Sequence, residues 1–161
     1  MSLRLIQPSD NPILAKLIKD IFVEYNAPKD GTVYSDPSTD HLYELFQAEE
    51  KSIFWVAENE ENEVIGCCGI FPTEGLPENC AELVKFYISP KGRGKGFGKE
   101  LMSQSILSAK QLGYSEIYIE SLPEYSNAVR IYEKQGFEKL SQPLGNSGHT
   151  ACNIWMLKKL D

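Results

Sequence analysis

Four glycines and four cations fall within ten residues, Pro90-Lys91-Gly92-Arg93-Gly94-Lys95-Gly96-Phe97-Gly98-Lys99, and the chemistry this composition suits is phosphate binding. An apolar run ends just before it at Ile88, and a helical pattern begins near Phe97. A glycine-rich turn feeding a helix presents unpaired backbone N–H groups at the positive end of the helix dipole. Such a turn attracts phosphate. The rest of the chain is acidic: the net charge is −7, and without these four cations it would be −11. A turn that bound nothing would leave its four cations repelling one another without a counter-ion.

Two common phosphate signatures do not fit. In the P-loop pattern G-x-x-x-x-G-K-[ST], the residue five before Gly98 would be glycine and is Arg93, while Glu100 stands where the metal-binding hydroxyl belongs. The dinucleotide pattern G-x-G-x-x-G would need glycine at 97 or 99, which are Phe97 and Lys99. What remains is Arg93-x-x-Gly96-x-Gly98.

The elements that must position this turn follow from periodicity. Leu3 to Gln7 reads as a first strand, and Ile13, Leu14, Leu17, Ile18, Ile21, Phe22 and Tyr25 recur at helical spacing. Asn26 to Ser35 is a loop, and a short helix after Asp36-Pro37 carries Leu42, Leu45 and Phe46. Lys51 to Glu58 and Glu63 to Phe71 form an antiparallel hairpin about the polar turn Asn59 to Asn62. Pro72 to Asn79 is a further loop.

Cys80 to Ser89 is a central strand, apolar on both faces: Val84, Phe86 and Ile88 share one, Leu83, Lys85 and Tyr87 the other. A long helix runs from Phe97 to Leu112 and stops at Gly113; Ser115 to Ser121 is the next strand, completing a βαβ unit with parallel pairing. A helix from Pro123 to about Lys134 follows, then strands at Phe137 to Leu140 and from about Thr150 to Leu157. The sum is one α/β (α+β) domain over residues 1–161, a mixed sheet of about seven strands with helices on both faces.

Composition bounds the function. At 161 residues the chain can bury about two-thirds of its unfolded surface. The net charge of −7 argues against general affinity for nucleic acid or an anionic membrane. Cys67, Cys68, Cys80 and Cys152 form no CxxC pair and no metal-ligand spacing with the two histidines. Reduced thiols fit a cytoplasmic protein, and Met1 to Ile6 shows no signal-peptide h-region.

Two motifs carry a family resemblance. Phe86-Tyr87-Ile88-Ser89-Pro90 followed by Arg93-x-x-Gly96-x-Gly98 is a strand, a proline and [QR]-x-x-G-x-[GA] opening a long helix. About thirty residues on stands Ala128-Val129-Arg130-Ile131-Tyr132-Glu133-Lys134-Gln135-Gly136-Phe137. In these motifs and in element order the chain resembles the GNAT superfamily of acyl-CoA-dependent N-acetyltransferases. The resemblance implies a mostly antiparallel sheet with a central, splayed parallel pair, about four helices, and transfer of acetyl from acetyl-CoA, with CoA as product, to a primary amine in a ternary complex. The acceptor is a small-molecule amine or a protein amino group. A homodimer is compatible with it.

Roles follow by resemblance. Arg93, Gly94, Lys95, Gly96, Phe97 and Gly98 hold the pyrophosphate; Phe86, Tyr87 and Ile88 pair with the pantetheine arm and polarise the thioester carbonyl. Tyr132 is the general acid toward the CoA sulfur, and Glu120 or Glu82 the base. Many members carry an asparagine seven residues before that tyrosine. Here the position is Tyr125, with Asn127 two residues on, and either is a candidate contact to the cofactor arm. Tyr34 and His149 are candidate walls of the acceptor cleft. Direct transfer requires no metal and no covalent enzyme intermediate; Cys152 is the alternative nucleophile. The non-enzymatic alternative is an acyl-CoA-binding sensor or partner module on the same fold.

Overall fold

Polar turns separate the apolar runs, and each run finds its own element. The computed structural model describes residues 1–161. Its strands are β1 (Ser2–Leu5), β2 (Ile53–Glu58), β3 (Val64–Phe71), β4 (Cys80–Ile88), β5 (Glu116–Ser121), β6 (Glu138–Lys139) and β7 (Ile154–Lys159). The helices are α1 (Asn11–Glu24), α2 (Leu42–Gln47), α3 (Phe97–Gln111) and α4 (Ser126–Lys134). The strands join in the order β1-β2-β3-β4-β5-β7-β6, and every pair is antiparallel except β4 with β5. That exception follows from α3, which crosses back over the sheet so that β5 starts at the same end as β4.

Each face of the sheet carries its own core. On one, Leu14, Ile18 and Phe22 of α1 and Leu42 of α2 meet Phe54, Val56 and Cys67. On the other, Leu101 and Met102 of α3 and Val129 and Tyr132 of α4 meet Ile65, Leu83, Ile117 and Ile119. Successive strand residues face opposite sides, so Ile117 and Ile119 pack beneath α3 while Tyr118 and Glu120 face the α1 layer. Leu101 is fully buried at the α3–sheet contact. Leu101→Ala should therefore cost about 2–5 kcal/mol of stability, read as a lower urea midpoint with an unchanged denaturant slope.

Two expectations from periodicity are corrected. Val84 does not share a face with Phe86 and Ile88. The β3–β4 register shifts between Cys67 and Gly69, and Lys85 adopts a left-handed φ of 55°. This β-bulge inserts one residue and inverts the alternation beyond it. Phe86 and Ile88 consequently join Leu83 on the α3 side, and Tyr87 joins Val84 on the α1 side. The last strand begins at Ile154 rather than Thr150. The Ala151 N–H is taken by the Gly31 carbonyl at 3.0 Å and the Cys152 N–H by the His149 carbonyl at 3.2 Å, which folds that stretch into a turn. No helix is long and apolar enough to cross a membrane.

Candidate active site

The turn after β4 builds a cradle of donors. Gly94 and Gly96 hold left-handed φ values of 73° and 87°, and a Cβ added at either would meet no atom within 4 Å. Both glycines therefore answer to backbone conformation and to whatever occupies the open space above them. None of the six consecutive N–H groups from Gly94 to Lys99 donates to another protein group. Those of Phe97, Gly98 and Lys99 belong to the first turn of α3, where a helix has no internal acceptor to offer.

The cations of the turn behave differently from expectation. Lys91 pairs with Glu63 at 3.0 Å, and the Arg93 guanidinium grips both oxygens of Glu24 at 2.5 and 2.8 Å. Arg93 also donates from Nε to the Ile88 carbonyl at 3.1 Å and lies 5.2 Å from the centre of the Tyr25 ring. Mutual repulsion is thus relieved within the protein for two of the four. Lys95 and Lys99 remain exposed and unpaired. The Arg93 side chain ties the end of α1 to the turn, which leaves the free amides and the unpaired Lys95 and Lys99 available to an anion.

Next to the cradle the sheet opens. β4 and β5 pair only at Cys80↔Glu116, Ala81↔Ile117 and Glu82↔Tyr118. Past Glu82, β4 keeps β3 as neighbour up to Ile88, and β5 keeps β7 up to Ser121, but the two no longer meet. Their facing edges border a cavity of about 320 Å³ lined from both core layers. The gap brings together most of the residues singled out by motif: Glu82, Phe86, Tyr87, Ile88, Arg93, Gly94, Gly96, Phe97, Gly98, Glu120, Tyr125, Asn127, Tyr132 and His149 all line it.

Two residues fall outside the gap. Lys95 points to solvent, and Tyr34 packs on Phe22 with ring centres 5.8 Å apart, beneath the Lys29 ammonium. Tyr125 joins an aromatic cluster with Phe22, Tyr25 and Tyr87, and its hydroxyl is buried without a partner. Periodicity did not single out Lys85 or Cys152 as lining the gap, yet both do. A lysine inside the apolar run Leu83–Ile88 was the available signal for the first.

Acid and base candidates enter from opposite layers. Tyr132, on the α4 side, is 5% exposed, tilts against Phe86 at 5.8 Å, and its hydroxyl has no protein partner. Burial raises its pKa far above the ordinary tyrosine value, so it stays protonated and able to donate. Glu82, on the α1 side, is 4% exposed and accepts a hydrogen bond from the Thr73 hydroxyl at 2.6 Å. Burial, reinforced by the charge of Glu120 and opposed by Thr73 and Lys85, pushes its pKa up to about 7.

Glu120 is differently placed: it accepts from the Tyr118 hydroxyl at 2.8 Å and from the Ser147 hydroxyl. Each of its oxygens is thus held by a hydroxyl of the protein. His149 Nε2 lies 3.0 Å from Asp36 and joins the loops on either side of the cavity mouth. Burial pushes the Cys152 thiol up to about 12, which keeps it a neutral thiol and a poor nucleophile.

Residues 17–137 match a family model described as the acetyltransferase (GNAT) family. The chain belongs to that family. It is 35% identical over 159 residues to the uncharacterized N-acetyltransferase YjgM of Escherichia coli K12, covering 98% of this chain and 94% of that one. Four further curated N-acetyltransferases are longer, and the chain spans 40–56% of each. A GNAT acetyltransferase structure from Staphylococcus aureus Mu50 superposes with a TM-score of 0.86 at 20% identity, covering 99% of both chains. The GNAT phosphinothricin acetyltransferase of Sinorhizobium meliloti, solved in complex with acetyl-CoA, superposes at 0.76 with 19% identity, covering 99% of this chain and 88% of that one. These likenesses show that the GNAT protein shares the fold of those acetyltransferases. The cradle fits an acyl-CoA pyrophosphate on its own terms, because six free N–H donors and two Cβ-less positions are what close approach of a diphosphate requires.

Proposed function

We propose that this GNAT protein transfers acetyl from acetyl-CoA directly to a primary amine, of a small molecule or of a protein. One observation carries the reading: the unpaired amides of Gly94–Lys99 open onto a gap in the sheet that holds a protonated tyrosine from one layer and a near-neutral carboxylate from the other. Bound acetyl-CoA supplies an activated acetyl group as a thioester.

Gly94 to Lys99 receive its pyrophosphate on their amides, and the free edge of β4 from Leu83 to Ile88 aligns the pantetheine arm in a strand-like way. A backbone N–H on that edge stabilises negative charge on the thioester oxygen. Glu82 takes the proton from the attacking amine, directly or through one water, and Tyr132 gives its hydroxyl proton to the departing sulfur. The charge of Glu120 adds to burial in raising Glu82's proton affinity.

Thiol release from acetyl-CoA in the presence of a primary-amine library tests the proposal. Release matched by acetylated amine supports it; thermal stabilisation by CoA with no acetylated product in any amine would favour the sensor alternative.

The base assignment has two pH signatures. kcat/KM, which reports groups of the free enzyme, should rise with pH and inflect near 7, and Glu82→Gln should remove that limb. Stability moves the other way. A carboxyl raised from 4.5 to about 7 binds its proton more tightly when folded, so its contribution is full below pH 4.5 and lost as pH rises to about 7. Glu82→Gln should accordingly flatten the decline in wild-type stability between those values, measured by urea unfolding at each pH.

A further inference from the structure

Lys85 is the buried charge in this cavity that proton transfer leaves without a task. It is 7% exposed, lines the gap, and sits on the β4 bulge at a left-handed φ of 55°. A backbone turned this way is uncommon for a residue with a Cβ, and here it fixes where the long side chain enters the cavity. The ammonium makes no hydrogen bond and no ion pair, although burial lowers its pKa while Asp36 and Glu82 act at longer range to raise it. The side chain is mostly buried, yet Nζ is not sealed off from the cavity, so a charge there is partly desolvated, lacks a protein partner and is open to an anion.

The groups facing it explain what it can serve. Glu82 on the same strand, Asp36 beyond α1 paired with His149, Cys67 on β3 and Cys152 before β7 act on it, and Glu120 on β5 lines the same cavity. The cavity thus sets one cation without a protein partner in a lining that also holds the carboxylates of Glu82 and Glu120, with Asp36 outside the lining, a pattern complementary to a zwitterion. We propose that Lys85 binds a carboxylate on the acceptor, so that the acceptor is an amino acid whose amine meets Glu82 while its acid group meets the Lys85 ammonium. This rests on the acetyl-transfer reading above. An amine lacking the carboxylate leaves Lys85 unpaired, and a diamine places a second cation against it.

The test measures kcat/KM by thiol release for the common L-amino acids, each beside its decarboxylated amine, in the wild type, Lys85→Met and Lys85→Arg. The wild type should prefer the best amino acid over its decarboxylated partner by about 10- to 100-fold. Lys85→Met should collapse that ratio toward one, chiefly through a higher KM for the amino acid, and Lys85→Arg should retain part of it.

Equal use of both partners by the wild type overturns the proposal, as does a Lys85→Met loss that falls equally on both. A Lys85→Met effect confined to the pH profile also overturns it, because Lys85 would then act only by tuning Glu82. If no amine of any kind is acetylated, the acetyl-transfer reading fails first. If decarboxylated amines are acetylated as well as amino acids, only the role of Lys85 fails.

Discussion

Tyr132→Phe should depress kcat by about 10²- to 10⁴-fold while acetyl-CoA binds as before. The substitution removes one oxygen from a side chain already 5% exposed, and the ring keeps its contacts with Phe86 and Phe137. The lost hydroxyl has no protein partner to leave unsatisfied, so the fold has no polar vacancy to absorb. Only a step that needs this proton is sensitive to its removal. Steady-state kinetics paired with calorimetric titration of acetyl-CoA separate the two quantities. An unaltered rate at saturating substrates would remove Tyr132 from the chemistry.

Gly96→Val should weaken CoA binding by about 10²- to 10³-fold, because two effects add. A β-branched residue at φ 87° is strained by about 1–3 kcal/mol, and relief of that strain turns the amides of Phe97 and Gly98 away from one common point. The new side chain also projects into the open space before the cradle, where each charge-assisted hydrogen bond to phosphate is worth about 1.5–3 kcal/mol. Gly113, at φ 93° just past the end of α3, is the matched control: a Cβ there also meets nothing within 4 Å, but it lines neither the cradle nor the cavity. Gly113→Val should carry similar backbone strain and leave CoA affinity intact. Equal affinities of Gly96→Val and wild type by calorimetry would remove the turn as the pyrophosphate site.

The parts of this site readable in the amino-acid sequence are those whose cause is local. Glycine spacing at 92, 94, 96 and 98 dictates a turn whatever surrounds it, and the helical period from Phe97 dictates which amides are left free. What periodicity misreads is the bulge at Lys85, since alternation presumes one residue per step, and a single insertion exchanges the faces of Phe86, Tyr87 and Ile88.

Long-range pairing is likewise hidden. Arg93 finds Glu24 across 69 positions, and the pair tethers α1 to the turn. Loop residues set Glu82 and Glu120 apart: Ser147 helps occupy the oxygens of Glu120, while Thr73 takes only one oxygen of Glu82. No spacing rule connects those hydroxyls to their carboxylates. Tyr34 shows the converse case, a loop aromatic consumed by packing on α1 rather than by the cleft.

Direct transfer is the central claim, and intact-mass analysis tests it in one experiment. The protein is incubated with a stoichiometric amount of acetyl-CoA, alone and with an accepted amine, and both protein and small molecules are weighed. The account predicts no acetyl increment on the protein in either sample, free CoA only when amine is present, and one acetylated amine for each CoA released. An acetyl adduct on the chain that the amine then removes, at Cys152 or elsewhere, would contradict it, as would CoA release with no acetylated amine to match.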